Sequence, residues 1–175
     1  MAAQLPAPRV VIASNTDDGK SVVSSDTTLP LLSPFGPAGA AFSTLWLTSA
    51  VPASTTEDLL SKQAEPSIPR PPEKGTVFGT SDIPPGATSA FHRTKTLDYG
   101  VVLKGEIVLR LNHGAEVTIK EGEMMVQRGT IHSWINRTDQ WCRMLFVMLD
   151  AEPIELKDGR VLGPVFMPHK PEGGN

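Results

Sequence analysis

The sequence predicts an all-β fold, a barrel or sandwich of short antiparallel strands, on three observations. First, 15 glycines and 16 prolines in 175 residues punctuate the chain every few positions, which suits short strands and interrupts long helices. Second, several segments alternate polar and apolar residues with period two, as half-buried strands do. Third, tight-turn signatures containing glycine separate those segments. The length fits one domain with extra residues at both ends.

Three zones and a tail follow in order. In the first, Arg9-Val10-Val11-Ile12-Ala13 reads as a strand and Asp17-Asp18-Gly19-Lys20 as the turn after it. Ser33 to Ala41 is rich in Gly, Pro and Ala and reads as an irregular loop. Phe42 to Val51 reads as a strand centred on Leu45, Trp46 and Leu47. The second zone, Ser54 to Lys74, is a connector. Thr56-Glu57-Asp58-Leu59-Leu60 has an N-cap residue followed by acids, which predicts one short helical turn. Gln63 to Lys74 carries Pro66, Pro69, Pro71 and Pro72, so it reads as an extended surface link. Residues 1–74 are thus expected to pack as strands and connector on a barrel core at 75–150.

Within that core, Glu106 to Leu111 and Ala115 to Ile119 alternate and are joined by Asn112-His113-Gly114, a hairpin signal. Lys120-Glu121-Gly122-Glu123 is a second turn, leading into Met124 to Gln127. Trp141 to Leu149 is apolar on both parities, more than a one-sided sheet requires. This surplus, with the open edges of a sandwich, predicts a homodimer in which the N-terminal strands pack on a partner barrel. Residues 151–175 form a C-terminal extension whose last residues, Pro168 to Asn175, are expected to fray.

Composition narrows the function. Net charge is −3 with no basic block, so nucleic acid is not an expected partner. No stretch approaches the roughly 20 apolar residues of a membrane-spanning helix, and Met1-Ala-Ala-Gln-Leu-Pro lacks the charged-then-apolar pattern of a signal peptide. A cytoplasmic protein is the default expectation. The single cysteine, Cys142, reads as a small buried hydrophobe.

Two segments carry chemistry. The first places Gly86, His92, Thr94, Asp98 and Gly105 at set intervals; the second places Gly122, Gln127, Gly129, His132 and Asn136. Side chains alternate faces along a strand, so His92, Thr94 and Asp98 share one face if the strand continues. A barrel then brings His132 beside them. These spacings resemble the two cupin motifs: G, five residues, H-x-H, three or four residues, E, six residues, G; and G, about five residues, P-x-G, two residues, H, three residues, N. Three positions depart from the pattern. Thr94 stands where the second histidine is usual, Asp98 where the glutamate is, and Gln127 where the proline is.

The resemblance implies a double-stranded β-helix, or jelly-roll, cupin barrel with an N-terminal strand extension. The whole phrase resembles small fungal and bacterial monocupins, some encoded in natural-product pathways. It implies a divalent transition metal (Zn, Fe, Mn or Ni) held by His92, Asp98 and His132, with water where Thr94 leaves a gap; a metal-free site in which these groups only hydrogen-bond a ligand stays open. His132, Asp98 and His92 are the expected catalytic groups, acting on a small oxygenated, polyketide-type substrate. Asp98 would be ligand or base, and His132, or water held by it, an acid. Dehydration, decarboxylation or isomerisation all need only this. An Fe(II) dioxygenase and a non-catalytic small-molecule binder remain alternatives. Thr94, Tyr99, Trp134 and Arg143 are candidate substrate contacts. Arg143, inside an apolar run, needs an anionic partner such as Asp98, Asp150 or a substrate carboxylate, unless it stands at a solvated edge. Arg93, Lys95, His113 and His169 read as solvent-facing, and Arg128, at a turn, as a surface or dimer contact or equally a substrate clamp.

Overall fold

The computed structural model describes residues 2–36, 38–61 and 67–167. The Gln63–Pro66 part of the connector and the Pro168–Asn175 tail with His169 lie outside them. Among the described residues there are strands and no helix. None forms a helix long and apolar enough to cross a membrane.

A hairpin comes first, β1 (Arg9–Asn15) and β2 (Ser21–Thr28), closed by the expected turn with Gly19. β3 (Ala41–Thr48) follows, ending earlier than the sequence suggested. The barrel continues with β4 (Thr76–Ile83), β5 (Phe91–Arg93), β6 (Thr96–Lys104), β7 (Glu106–Leu111), β8 (Glu116–Lys120), β9 (Met124–Arg128), β10 (His132–Ile135) and β11 (Cys142–Asp150). Short strands β12 (Ile154–Glu155), β13 (Val161–Leu162) and β14 (Val165–Met167) complete the order. One five-stranded sheet runs β14-β5-β10-β7-β8, the other β3-β4-β11-β6-β9. Every pairing is antiparallel. From β4 to β7 successive strands alternate between the two sheets, and they do so again from β8 to β11. That is the jelly roll the motifs implied, and β3 and β14 extend its sheets from outside 75–150.

Local chemistry explains the punctuation. The motif glycines Gly86, Gly105, Gly122 and Gly129 have φ of 70°, 79°, 81° and 59°, a left-handed backbone that a side chain disfavours. The helical turn expected at Thr56–Leu60 is absent. Asp58 Oδ1 instead accepts the Ser61 N–H at 3.0 Å, a side-chain-capped turn that competes with helix.

β11 is the strand that the sequence makes apolar on both parities. This strand lies between β4 and β6, at the centre of its sheet. Its even-numbered residues face inward: Cys142 and Met144 join Ile83, Val102, Ile107 and Ile119 in the core. On the opposite face Arg143 donates to the Pro6 carbonyl, while the neighbouring Trp141 donates to that of Ala2. N-terminal residues of the same chain therefore cover part of that outer surface.

Candidate functional site

Three elements position the site. His92 lies on β5 and His132 opens β10, and the two are direct cross-strand partners. Their ring centroids stand 4.3 Å apart, with planes at 54°. His92 Nδ1 is 2.9 Å from the Ala90 carbonyl oxygen and His132 Nδ1 is 3.0 Å from that of Thr130. A carbonyl only accepts, so each Nδ1 carries the proton and each Nε2 keeps its lone pair. Burial pulls His132 down to about 4, helped by the neighbouring His92 and opposed by the Thr130 carbonyl. His92 is lowered too, chiefly by burial. Both rings are neutral at pH 7.

Asp98 projects from β6 into the same cavity. Burial raises its carboxyl to about 6, against the opposing effects of the Thr96 hydroxyl and the Arg70 guanidinium. Its Oδ1 is buried and has no hydrogen-bond partner. Across the ladder, Asp98 faces Gln127 of β9. The Thr130 hydroxyl donates to Gln127 Oε1 at 2.8 Å, which leaves the amide nitrogen buried and unpaired.

The cavity measures about 630 Å³. His92, Asp98 and His132 all line it, and its walls are largely apolar, with Ile83, Met125, Met144, Phe146 and Met148 among them. Gly79 makes room for one wall, since a Cβ there would stand 2.9 Å from Phe146 Cζ. Thr94 lines the cavity and shares a 2.6 Å hydroxyl–hydroxyl bond with Thr96. Trp134 also lines it and meets His132 edge-on, centroids 5.3 Å apart.

Two expected substrate contacts do not join the site. Tyr99 is 47% exposed, because it follows Asp98 on a strand and so takes the opposite face. Arg143 is likewise on the outer face of β11, where its Nε and Nη2 grip Asp82 at 2.6 and 2.5 Å. Its anionic partner is thus neither Asp98, Asp150 nor a ligand. Asp150 instead pairs with Lys95 at 3.1 Å. His113 is exposed as expected, and Arg128 is exposed too. The motif asparagine, Asn136, is fully buried and structural: it donates to the Ile83 and Gln140 carbonyls and accepts from Thr138.

Arg70 joins the site although no motif or spacing announces it. Part of the connector expected on the surface reaches the barrel instead: Pro69 is buried, and Ile68, Pro69 and Arg70 line the cavity. Irregular backbone has no periodicity from which such a placement could be read.

The donor set partly fits a divalent transition metal. Two neutral imidazoles oriented by backbone carbonyls, each with a free Nε2, and an orphaned carboxylate oxygen are ligand-type groups. Among the described residues, however, no three His, Cys, Asp or Glu side chains stand together as a ready ligand group. The expected triad is present as an imidazole pair and a separate carboxylate lining one cavity.

A family model for the cupin domain matches residues 79–148, a span that contains His92, Asp98 and His132. Oryzines biosynthesis cluster protein J of Aspergillus oryzae is 31% identical over 157 residues, covering 87% of each chain. The chain is a cupin. Phomopsin biosynthesis cluster protein C′ of Diaporthe leptostromiformis is 51% identical over 92 residues, 52% of this cupin and 48% of that protein. The cupin thus matches about half the length of that relative. The cupin-domain-containing oxidoreductase fogC of Aspergillus ruber is 39% identical over 92 residues, 51% of this cupin and 45% of that protein.

Proposed function

We propose that this cupin is an enzyme that moves a proton on a small, oxygenated, largely apolar metabolite of a natural-product pathway. The carrying observation is Asp98: a buried carboxyl raised to about 6, with one oxygen unpartnered, in an apolar cavity. At pH 7 it is mostly ionised, yet far more basic than a solvated carboxylate, which suits a general base. It takes a proton from a carbon or hydroxyl beside a carbonyl. The imidazoles present lone pairs to the cavity, and their N–H groups are spent on Ala90 and Thr130. His132 is therefore an acceptor rather than an acid, and the protonated Asp98 returns the proton itself. A proton shift along the substrate, an isomerisation, needs only this one carrier. Dehydration is served by the same carrier when protonated Asp98 gives its proton to the departing hydroxyl, which leaves as water; in a decarboxylation protonated Asp98 would supply the proton to the carbon that CO₂ has left. The biosynthesis-cluster names of two relatives support the setting.

If a divalent metal is bound, His92 and His132 hold it through Nε2, and it supplies a Lewis-acidic site for a carbonyl oxygen. A second reading, oxidation, is favoured by those two free Nε2 atoms together with the oxidoreductase name of one relative.

Deuterium exchange tests the proposal. The purified protein is incubated in D₂O at neutral pH with 2-tetralone, an apolar ketone with exchangeable C–H bonds beside its carbonyl. Acceleration by the parent that is lost in Asp98→Asn is the expected result. Equal exchange with both proteins, or none above the buffer rate, sinks the proton-transfer reading and leaves oxidation or plain binding.

A further inference from the structure

Arg70 lies outside the segment that matches the cupin family model, on the Pro-rich connector, part of which reaches the barrel. It lines the cavity and is also exposed, so it stands where the cavity meets solvent. Its side chain is oriented by a 2.8 Å bond from Nη1 to the Pro69 carbonyl. A guanidinium has five N–H donors and no way to shed its charge near neutral pH. Among the described residues Arg70 forms no ion pair. Arg143, by contrast, is matched by both oxygens of Asp82.

Asp98 feels the charge of Arg70 but is not in salt-bridge contact with it. The cavity therefore carries a cation at its rim with donors to spare and, among the described residues, no carboxylate in ion-pair contact with it. The interior beyond it is walled by Ile, Met and Phe side chains.

We propose that Arg70 is an anion clamp. It binds a carboxylate of the ligand at the rim, while the apolar body of the ligand fills the interior beside Asp98 and the two imidazoles. This names the substrate class as a small acid with one carboxylate on an apolar frame, and it rests on the preceding reading only in placing the substrate in this cavity. A planar guanidinium fits a carboxylate in bidentate fashion, which a lysine ammonium does not.

Isothermal titration with 2-naphthoate and with its neutral counterpart 2-acetonaphthone tests the clamp. The parent is expected to bind the carboxylate at least tenfold more tightly than the ketone. Arg70→Gln should erase that preference by weakening 2-naphthoate alone, with ketone affinity and melting temperature unchanged. Arg70→Lys should recover part of it. A parent without the preference, or an Arg70→Gln variant that keeps it, overturns the proposal. Binding and turnover fail separately here. A parent that prefers 2-naphthoate but does not exchange deuterium in 2-tetralone keeps the clamp and loses the proton-transfer reading; the opposite pair of results removes Arg70 alone.

Discussion

Asp82 and Asp98 are carboxylates on the same five-stranded sheet, and they meet opposite fates. Asp82, on β4, is completely buried and bonded through both oxygens to Arg143, whose Nη2 also holds the Pro6 carbonyl. Asp98, on β6, faces the cavity with one oxygen unpartnered and a raised proton affinity. The first is satisfied and ties the N-terminal segment to the barrel. The second keeps one oxygen without a partner, which under the proposed reading leaves it free to act as a base. Under the proposed reading it is the unpartnered oxygen, and not burial by itself, that sets Asp98 apart from Asp82.

Breaking the satisfied pair should have the largest effect on folding. Arg143→Met leaves Asp82 buried without its cation and should cost about 3–5 kcal/mol, read by urea denaturation, without changing the chemistry of the protein that stays folded. Asp98→Asn should do the reverse. Exchange in 2-tetralone should fall by about 10²–10⁴-fold, the usual worth of a positioned base. Stability should rise, because the folded carboxyl is more basic than its ordinary 3.8. The penalty for ionising it is absent below pH 3.8, grows as pH rises, and is complete above about 6. At neutral pH the gain should be about 1–3 kcal/mol, from about 1.4 kcal/mol per pKa unit and discounted for the exposed part of the side chain.

The imidazoles sharpen the comparison because their sign is opposite. His132 is held below its ordinary value, so its neutral form contributes stability above about 6.5 that is lost as pH falls toward about 4. In that window Asp98 gains stability by protonation and partly offsets the loss. Asp98→Asn removes the offset, so its stability should fall more steeply with acid than the parent's between pH 6.5 and 4; parallel curves would mean that Asp98 titrates normally. The smallest expected change concerns metal. Thr94→His adds a third imidazole to the cavity and should tighten binding of a divalent transition metal by about tenfold or more, in competition with a chromophoric chelator. His132→Ala should abolish uptake in the same assay.

Much of this was legible in the sequence because it is local. Gly105 and Gly122 mark turns that need left-handed backbone, and the motif spacing picks out His92, Asp98 and His132. The continuous strand that would have put His92, Thr94 and Asp98 on one face breaks between Arg93 and Thr96, so His92 and Asp98 reach the cavity from different sheets. What lay beyond reach depends on long-range register. Asp82 and Arg143 are cross-strand neighbours separated by 61 positions in the chain, and no spacing within β11 announces that partner. The tautomer of His132 depends on how its ring meets the Thr130 carbonyl, a matter of side-chain geometry. Arg70 sits in a proline-rich stretch with neither helical nor strand period, so its place at the rim emerges only from the folded chain.

The account turns on the protonation of Asp98, which can be followed directly. With ¹³C label in the aspartate carboxyl carbons, the resonance lost in Asp98→Asn is that of Asp98, and its chemical shift is titrated in the parent. An inflection near pH 6 is the predicted result. An inflection below pH 4 would show a carboxylate that is solvated or already partnered, and would contradict the claim that the cavity leaves Asp98 unsatisfied.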